Sequence, residues 1–400
     1  MSYETGTDSF LLDESVKVSA TGVPDWEDMT LRQERHLNSL LARRNAIVLS
    51  LLFITGFLIK VLPIMQYDHV GGDPFLHYKY AMALLDGKLA VPVEFNAGST
   101  TVELYYPPLF HLISLGFFLA FPNLDPYAIM KVLAATFAVL QIVPIFYIVK
   151  RVAHWSPAAL LASYSLLTVR SDYQMLSWGG YANIMGLFLI SALVYLVMSD
   201  KLILSAVVSA TLALTHHLSF LLMIVVLIPY FAMSLLKRKA IPRALIGSII
   251  GGAVAYLLFY RFALVSILQF YPQYSPVYDQ SLYVTPYILE QVGPLLLLFG
   301  TLGFILSFVH DGRRLAEHKD ILVIWAIVPL LLAFAYLFGV QWHGVRWIHF
   351  IPQPFIVWAG IALSYLREKK FLIVLFIFLF GIQLIGTIQG YYNDILEYVQ

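Results

Sequence analysis

The stretch "VGGDPFLHYKYAMALLDGKL" (residues 70–89) follows directly on an apolar run at 46–66 and carries two aspartates, a histidine and two lysines. Asp73-Pro74 is a good helix start, with Asp as N-cap and Pro at the first helical position. "PFLHYKYAMALL" continues as a helix that ends near Asp86-Gly87. His77 lies four residues after Asp73, so the two share a face. Phe75, Tyr78, Met82 and Leu85 form an apolar stripe that suits a helix lying in a membrane interface. Taken alone, Asp73 is either a cap for this helix or a chemical group at the membrane surface.

The surrounding sequence is a membrane sequence. Of 400 residues, 60% are hydrophobic and 12% charged, and the mean hydropathy is +0.78. A soluble domain carries about 25% charged residues. Apolar runs of the length that crosses a hydrocarbon core recur along the chain. They fall at 46–66, 128–149, 152–169, 182–198, 202–215, 218–236, 242–262, 293–309, 321–339, 348–366 and 371–388. The reading is an all-α, polytopic transmembrane protein of about eleven spans. A formal net charge of +1 gives no sign of nucleic acid as a partner. The chain has no cysteine, which excludes disulfides and thiol chemistry. About 45 polar residues precede the first run, which is expected to act as an uncleaved signal anchor.

A further apolar piece, 109–121, is short for a span, and charge decides its role. With a cytoplasmic N-terminus and 109–121 kept out of the count, 18 of the 25 Lys and Arg fall on the inner side. If 109–121 crosses, the cations of the later loops move outside and the positive-inside rule fails. It is therefore read as an interfacial or re-entrant helix. The expected organisation is a cytoplasmic polar segment at 1–45, a transmembrane domain at 46–390 and a short external tail at 391–400. The external loops lie at 67–127, 170–181 and 263–292. Their polar groups collect at one face, which points to a site opening there.

These residues carry a resemblance. "GGDPFLHYKYA" followed by "YYPPLFHLI" resembles the first external loop of the GT-C superfamily of membrane glycosyltransferases. That superfamily includes oligosaccharyltransferase catalytic subunits and the dolichyl-phosphate-mannose protein mannosyltransferases. The resemblance implies a polyprenyl- or dolichyl-phosphate-linked sugar donor, and a protein, lipid or glycan acceptor. It also implies transfer on the outer face of the cell membrane with inversion at the anomeric carbon. In this position Asp73 would take the acceptor proton or orient the acceptor. "RSDYQ" matches the acidic motif of the second external loop at Asp172, but Gln174 stands where the second acid would be. Asp73 and Asp172 would be the ligands of Mg²⁺ or Mn²⁺, since hard cations take carboxylate oxygens. A salt bridge from Asp172 to Arg170 is the competing reading. Arg346, in "QWHGVRW", is placed to hold the donor phosphate through its planar fork of donors. His77, Tyr106, Trp178, His216, His217 and His343 are the further substrate-binding candidates. Lys60 is expected to snorkel to the outer headgroups.

Two other classes remain open on the sequence. A transporter or flippase predicts ionisable groups and broken helices near the membrane midplane. A non-catalytic subunit that binds lipid-linked sugar predicts that Asp73 is dispensable.

Overall fold

The computed structural model describes residues 26–68, 70–95, 100–237, 240–264, 280–309, 313–339 and 344–399. Leu49–Gln400 forms one compact unit, and Met1–Val48 forms another. The first half of the chain runs α1 (Trp26–Ile64), α2 (Asp73–Leu85), β1 (Ala90–Phe95), β2 (Thr100–Tyr105), α3 (Leu109–Ala120), α4 (Pro126–Leu140), α5 (Ile142–Ala153) and α6 (Ser156–Leu166). The second half runs α7 (Arg170–Trp178), α8 (Tyr181–Met198), α9 (Leu202–Thr215), α10 (His217–Leu236), α11 (Arg243–Ala255), α12 (Gln280–Val292), α13 (Pro294–Val309), α14 (Arg313–Ala333), α15 (Gly344–Ile348), α16 (Pro352–Tyr365) and α17 (Lys370–Val399).

Seven helical segments among the described residues are long and apolar enough to cross a membrane, or eight if the bent pair α12–α13 is one span. That pair breaks by 90° at Gly293, whose φ is +89°. The count is lower than the eleven runs read from hydropathy, and length is much of the reason. α6 has 11 residues and α9 has 14, about 17 and 21 Å at 1.5 Å per residue against a core of about 30 Å. α3, at 12 residues, is shorter than a span in the same way.

Burial grades the spans from hub to periphery. The Gly344–Tyr365 segment is 94% buried and α8 is 83% buried, whereas α17 is 17% buried. α8 is apolar on nearly all sides because it packs on all sides, the pattern expected of a core helix.

The loop from 67 to 127 is a structured layer. α4 starts where Asp125 accepts from the backbone N–H of Tyr127 and Ala128, with Pro126 at the first position. Lys131 on α4 reaches back to the carbonyls of Tyr67 and Asp68, at 2.5 and 3.0 Å, and pins the entry to the loop. Between α2 and α3 lies an antiparallel hairpin in which Ala90 pairs with Tyr105 and Phe95 with Thr100. A purely helical reading did not anticipate it. Tyr80 of α2 donates to the Leu104 carbonyl at 2.5 Å and so ties the hairpin to the helix.

Candidate active site

α2 begins one residue earlier than the sequence suggests. The N-cap position falls on Gly72, Asp73 is the first helical residue, and no side chain caps this end. Asp73 makes no hydrogen bond to any described residue, so its carboxylate is not spent on the helix. The start of α2 is locked onto the turn after α7 by two glycines. A Cβ on Gly71 (φ +76°) would lie 2.5 Å from the Trp178 carbonyl oxygen. A Cβ on Gly179 (φ +95°) would lie 2.3 Å from Cδ of Pro74. Only glycine takes these left-handed conformations without cost at such an approach. The first glycine of "WGGYAN", Gly179, therefore serves a close approach to the Asp-Pro start of α2.

Arg346 on α15 is the charged group that acts on Asp73. Burial holds the Asp73 carboxyl above the usual carboxylate range, and the Arg346 guanidinium partly offsets this. Arg346 also lies over the Trp178 ring, 5.7 Å from its centroid, within cation–π range. Tyr106 feels both charges. Burial and Asp73 push its phenol up, and Arg346 opposes them. Asp73, Tyr106, Trp178 and Arg346 thus converge from α2, the end of β2, α7 and α15.

The histidines form the floor. His77 Nε2–H donates to the Gly179 carbonyl at 3.0 Å, and its Nδ1 lies 2.8 Å from Nε2 of His111 on α3. His111 Nδ1 lies 3.2 Å from the Pro107 carbonyl. Burial takes the His77 imidazole down to about 4, so it is neutral at physiological pH. Its place is structural, holding α2, α3 and the Gly179 turn together. Tyr106 stands edge-on to His77, His111 and His217, at 5.8, 5.4 and 5.5 Å. His216 ends α9 and caps α10, its Nδ1 accepting from the Ser219 N–H at 3.3 Å. The ring of His216 is 6.2 Å from Tyr106. His343 lies outside the described residues. His111 was not singled out in the sequence, because only the docking of α3 on α2 brings it to His77.

Asp172 is placed elsewhere. It is buried on α7, with Oδ2 3.5 Å from Lys60 Nζ and 3.4 Å from Gln141 Nε2, which donates to it. The partner of Arg170 is not Asp172, since Arg170 meets Asp394 at 2.7 Å and Glu290 at 3.1 Å. Lys60 does not snorkel. It is fully buried, and its Nζ also sits 3.7 Å from the centroid of the Tyr173 ring. Gln174, at the position of the missing second acid, accepts from the Tyr287 hydroxyl of α12.

This donor set does not fit a two-carboxylate metal site. The Asp172 charge is spent on an internal ammonium, and among the described residues no three of His, Asp and Glu gather as ligands. Excess chelator is accordingly expected to change turnover less than twofold, measured on protein stripped of metal and assayed with and without added Mg²⁺ or Mn²⁺. Complete loss, restored by either ion, would mean that ligands from other parts of the chain build a site.

No protein-family model matches the chain, and no curated protein sequence matches it. The fold is nevertheless that of the GT-C membrane glycosyltransferases. It is similar to ArnT from Cupriavidus metallidurans bound to undecaprenyl phosphate, with a TM-score of 0.56 and 15% identity, covering 84% of this chain and 62% of ArnT. It is also similar to the Archaeoglobus fulgidus oligosaccharyltransferase tethered with an acceptor peptide containing the NVT sequon. There the TM-score is 0.60 and the identity 14%, over 89% of this chain and 55% of that one. AglB from the same organism, in complex with an inhibitory peptide and a dolichol-phosphate, gives a TM-score of 0.56 and 14% identity over 88% of this chain and 56% of AglB. The chain therefore spans a little over half the length of these structures, and the likeness is one of fold.

Proposed function

We propose that the protein is a GT-C glycosyltransferase that moves a sugar from a polyprenyl-phosphate-linked donor to an acceptor at the outer membrane face. The N-terminus is then cytoplasmic, in keeping with the distribution of Lys and Arg. The observation that carries the reading is that Asp73 is desolvated, free of capping, and set against Arg346. A carboxylate with a raised pKa is a better base than a solvated one. Its neighbour is a fixed cation suited to a phosphate oxygen.

The step is a single displacement. The acceptor O–H gives its proton to Asp73 as its oxygen bonds the anomeric carbon. The bond from that carbon to the phosphate oxygen breaks, and its electron pair leaves on the lipid phosphate. Attack opposite the leaving group inverts the anomeric centre. Arg346 stabilises the phosphate as its negative charge grows, which lowers the barrier more than it tightens ground-state binding. ArnT is bound to undecaprenyl phosphate and AglB to a dolichol-phosphate, and these lipid phosphates with a sugar attached are the donors to try.

Arg346 supplies the test. Arg346→Lys keeps the charge and loses the bidentate fork, so it should retain partial activity. Arg346→Ala should lose about 2–4 kcal/mol of transition-state stabilisation, comparable to removing one oxyanion donor. Turnover of lipid-linked sugar by both variants, purified at normal yield, checks this. Wild-type rates in both would remove Arg346 from the phosphate.

A further inference from the structure

Tyr181 opens α8, two residues beyond the glycine that locks onto Pro74. It is fully buried, and its ring stacks on His77 at 5.9 Å and 25°. Its hydroxyl is buried without a hydrogen-bond partner among the described residues. Burying a donor in this way is costly unless another state of the molecule satisfies it. The charge this hydroxyl feels is Asp73, and Asp73 likewise has no hydrogen bond to any described residue. A buried donor and a desolvated acceptor thus belong to segments that Gly71 and Gly179 hold in one place. The other titratable groups that feel Asp73 are Arg346, Tyr106 and Tyr398. Tyr391, which faces Tyr181 from α17, is already engaged, donating to the Lys60 carbonyl at 2.9 Å.

We propose that Tyr181 is a positioning residue for Asp73: when the carboxylate is ionised, the Tyr181 hydroxyl turns to it and donates the hydrogen bond that fixes its orientation. The catalytic consequence rests on the reading of Asp73 as base, but the pairing itself does not. Two arms separate them. The first is thermal unfolding of purified wild-type, Tyr181→Phe, Asp73→Asn and the double variant, followed over a pH series. Phe keeps the ring and its stack on His77, so folding is not at risk from lost packing. Tyr181→Phe is expected to lower the melting temperature at pH values where Asp73 is ionised and to leave it unchanged where Asp73 is protonated. In the Asp73→Asn background its effect should not vary with pH.

The second arm is the pH profile of kcat/KM with a polyprenyl-phosphate-linked sugar. A hydrogen bond to a carboxylate lowers its pKa, so losing it should move the acid limb of Tyr181→Phe up by about one to two pH units. An acid limb and a melting profile both indifferent to Tyr181→Phe would overturn the proposal. Melting profiles that couple as expected in a protein that transfers no sugar would uphold the pairing and overturn the glycosyltransferase reading instead.

Discussion

Asp73→Asn is expected to reduce sugar transfer by about 10²- to 10⁴-fold, the range that a general base contributes, while the protein becomes no less stable. The second half of that expectation comes from the structure. Asp73 caps nothing: the N-cap is Gly72 and no side chain bonds the free N–H groups of α2. An amide of the same shape therefore removes no capping hydrogen bond. The sign of the stability change follows from the direction of the carboxyl shift. Burial raises the folded-state pKa, so the fold favours the neutral acid. The stability that Asp73 contributes is full below its unfolded-state value, about 3.9, and is lost as pH rises through the folded-state value. Asn does not titrate. The melting temperature of the variant relative to wild type should thus climb from acid toward neutral pH. Melting curves over that range, beside turnover assays on the same preparations, check both halves. Activity near wild type would exclude Asp73 as the base. A large stability loss would mean that its carboxylate has a structural partner.

The helix that starts at Asp73-Pro74 was legible because an acid before a proline is a local signal. The short helix at 109–121 was legible through charge, since counting it as a span would put the later Lys and Arg on the wrong side. What the sequence hid is what depends on contacts between distant segments. Lys60, near the end of an apolar run, looks like any headgroup-seeking lysine until α7 brings Asp172 to it across 112 positions of chain. Only docking reveals that Gly179 makes room for Pro74. The hairpin was a different kind of miss. "AVPVEF" and "TTVELY" carry β-branched residues in near-alternation, a strand signal that the dominant helical hydropathy masked. The eleven hydropathy runs outnumber the seven or eight long apolar segments among the described residues because a hydropathy run does not reveal where a helix stops, and α6 and α9 stop short.

The largest expected loss of stability lies at Lys60. Its ammonium is fully buried, 3.5 Å from Asp172 and 3.7 Å from the face of Tyr173. Asp172 is joined through Gln141 to Gln353 of α16, whose amide donates to the Gln141 carbonyl oxygen at 2.6 Å and to the Leu187 carbonyl at 2.8 Å. One polar chain therefore links α1, α7, the α4–α5 junction, α16 and α8. Lys60→Met fills similar space but leaves the Asp172 carboxylate buried and without its cation. Breaking a buried pair from one side costs about 3–5 kcal/mol, because the remaining charge is uncompensated. Removing both charges is a different matter. Lys60→Met combined with Asp172→Leu deletes the desolvation of two ions along with their attraction, and such replacements are often neutral or better. The double variant is therefore expected to recover most of the loss, and melting temperatures of the two singles and the double in one detergent would show it. Equal and additive losses would mean that Lys60 and Asp172 act independently. Recovery in the double, with sugar transfer retained, would also establish that Asp172 serves the fold and that the chemistry is left to Asp73 and Arg346.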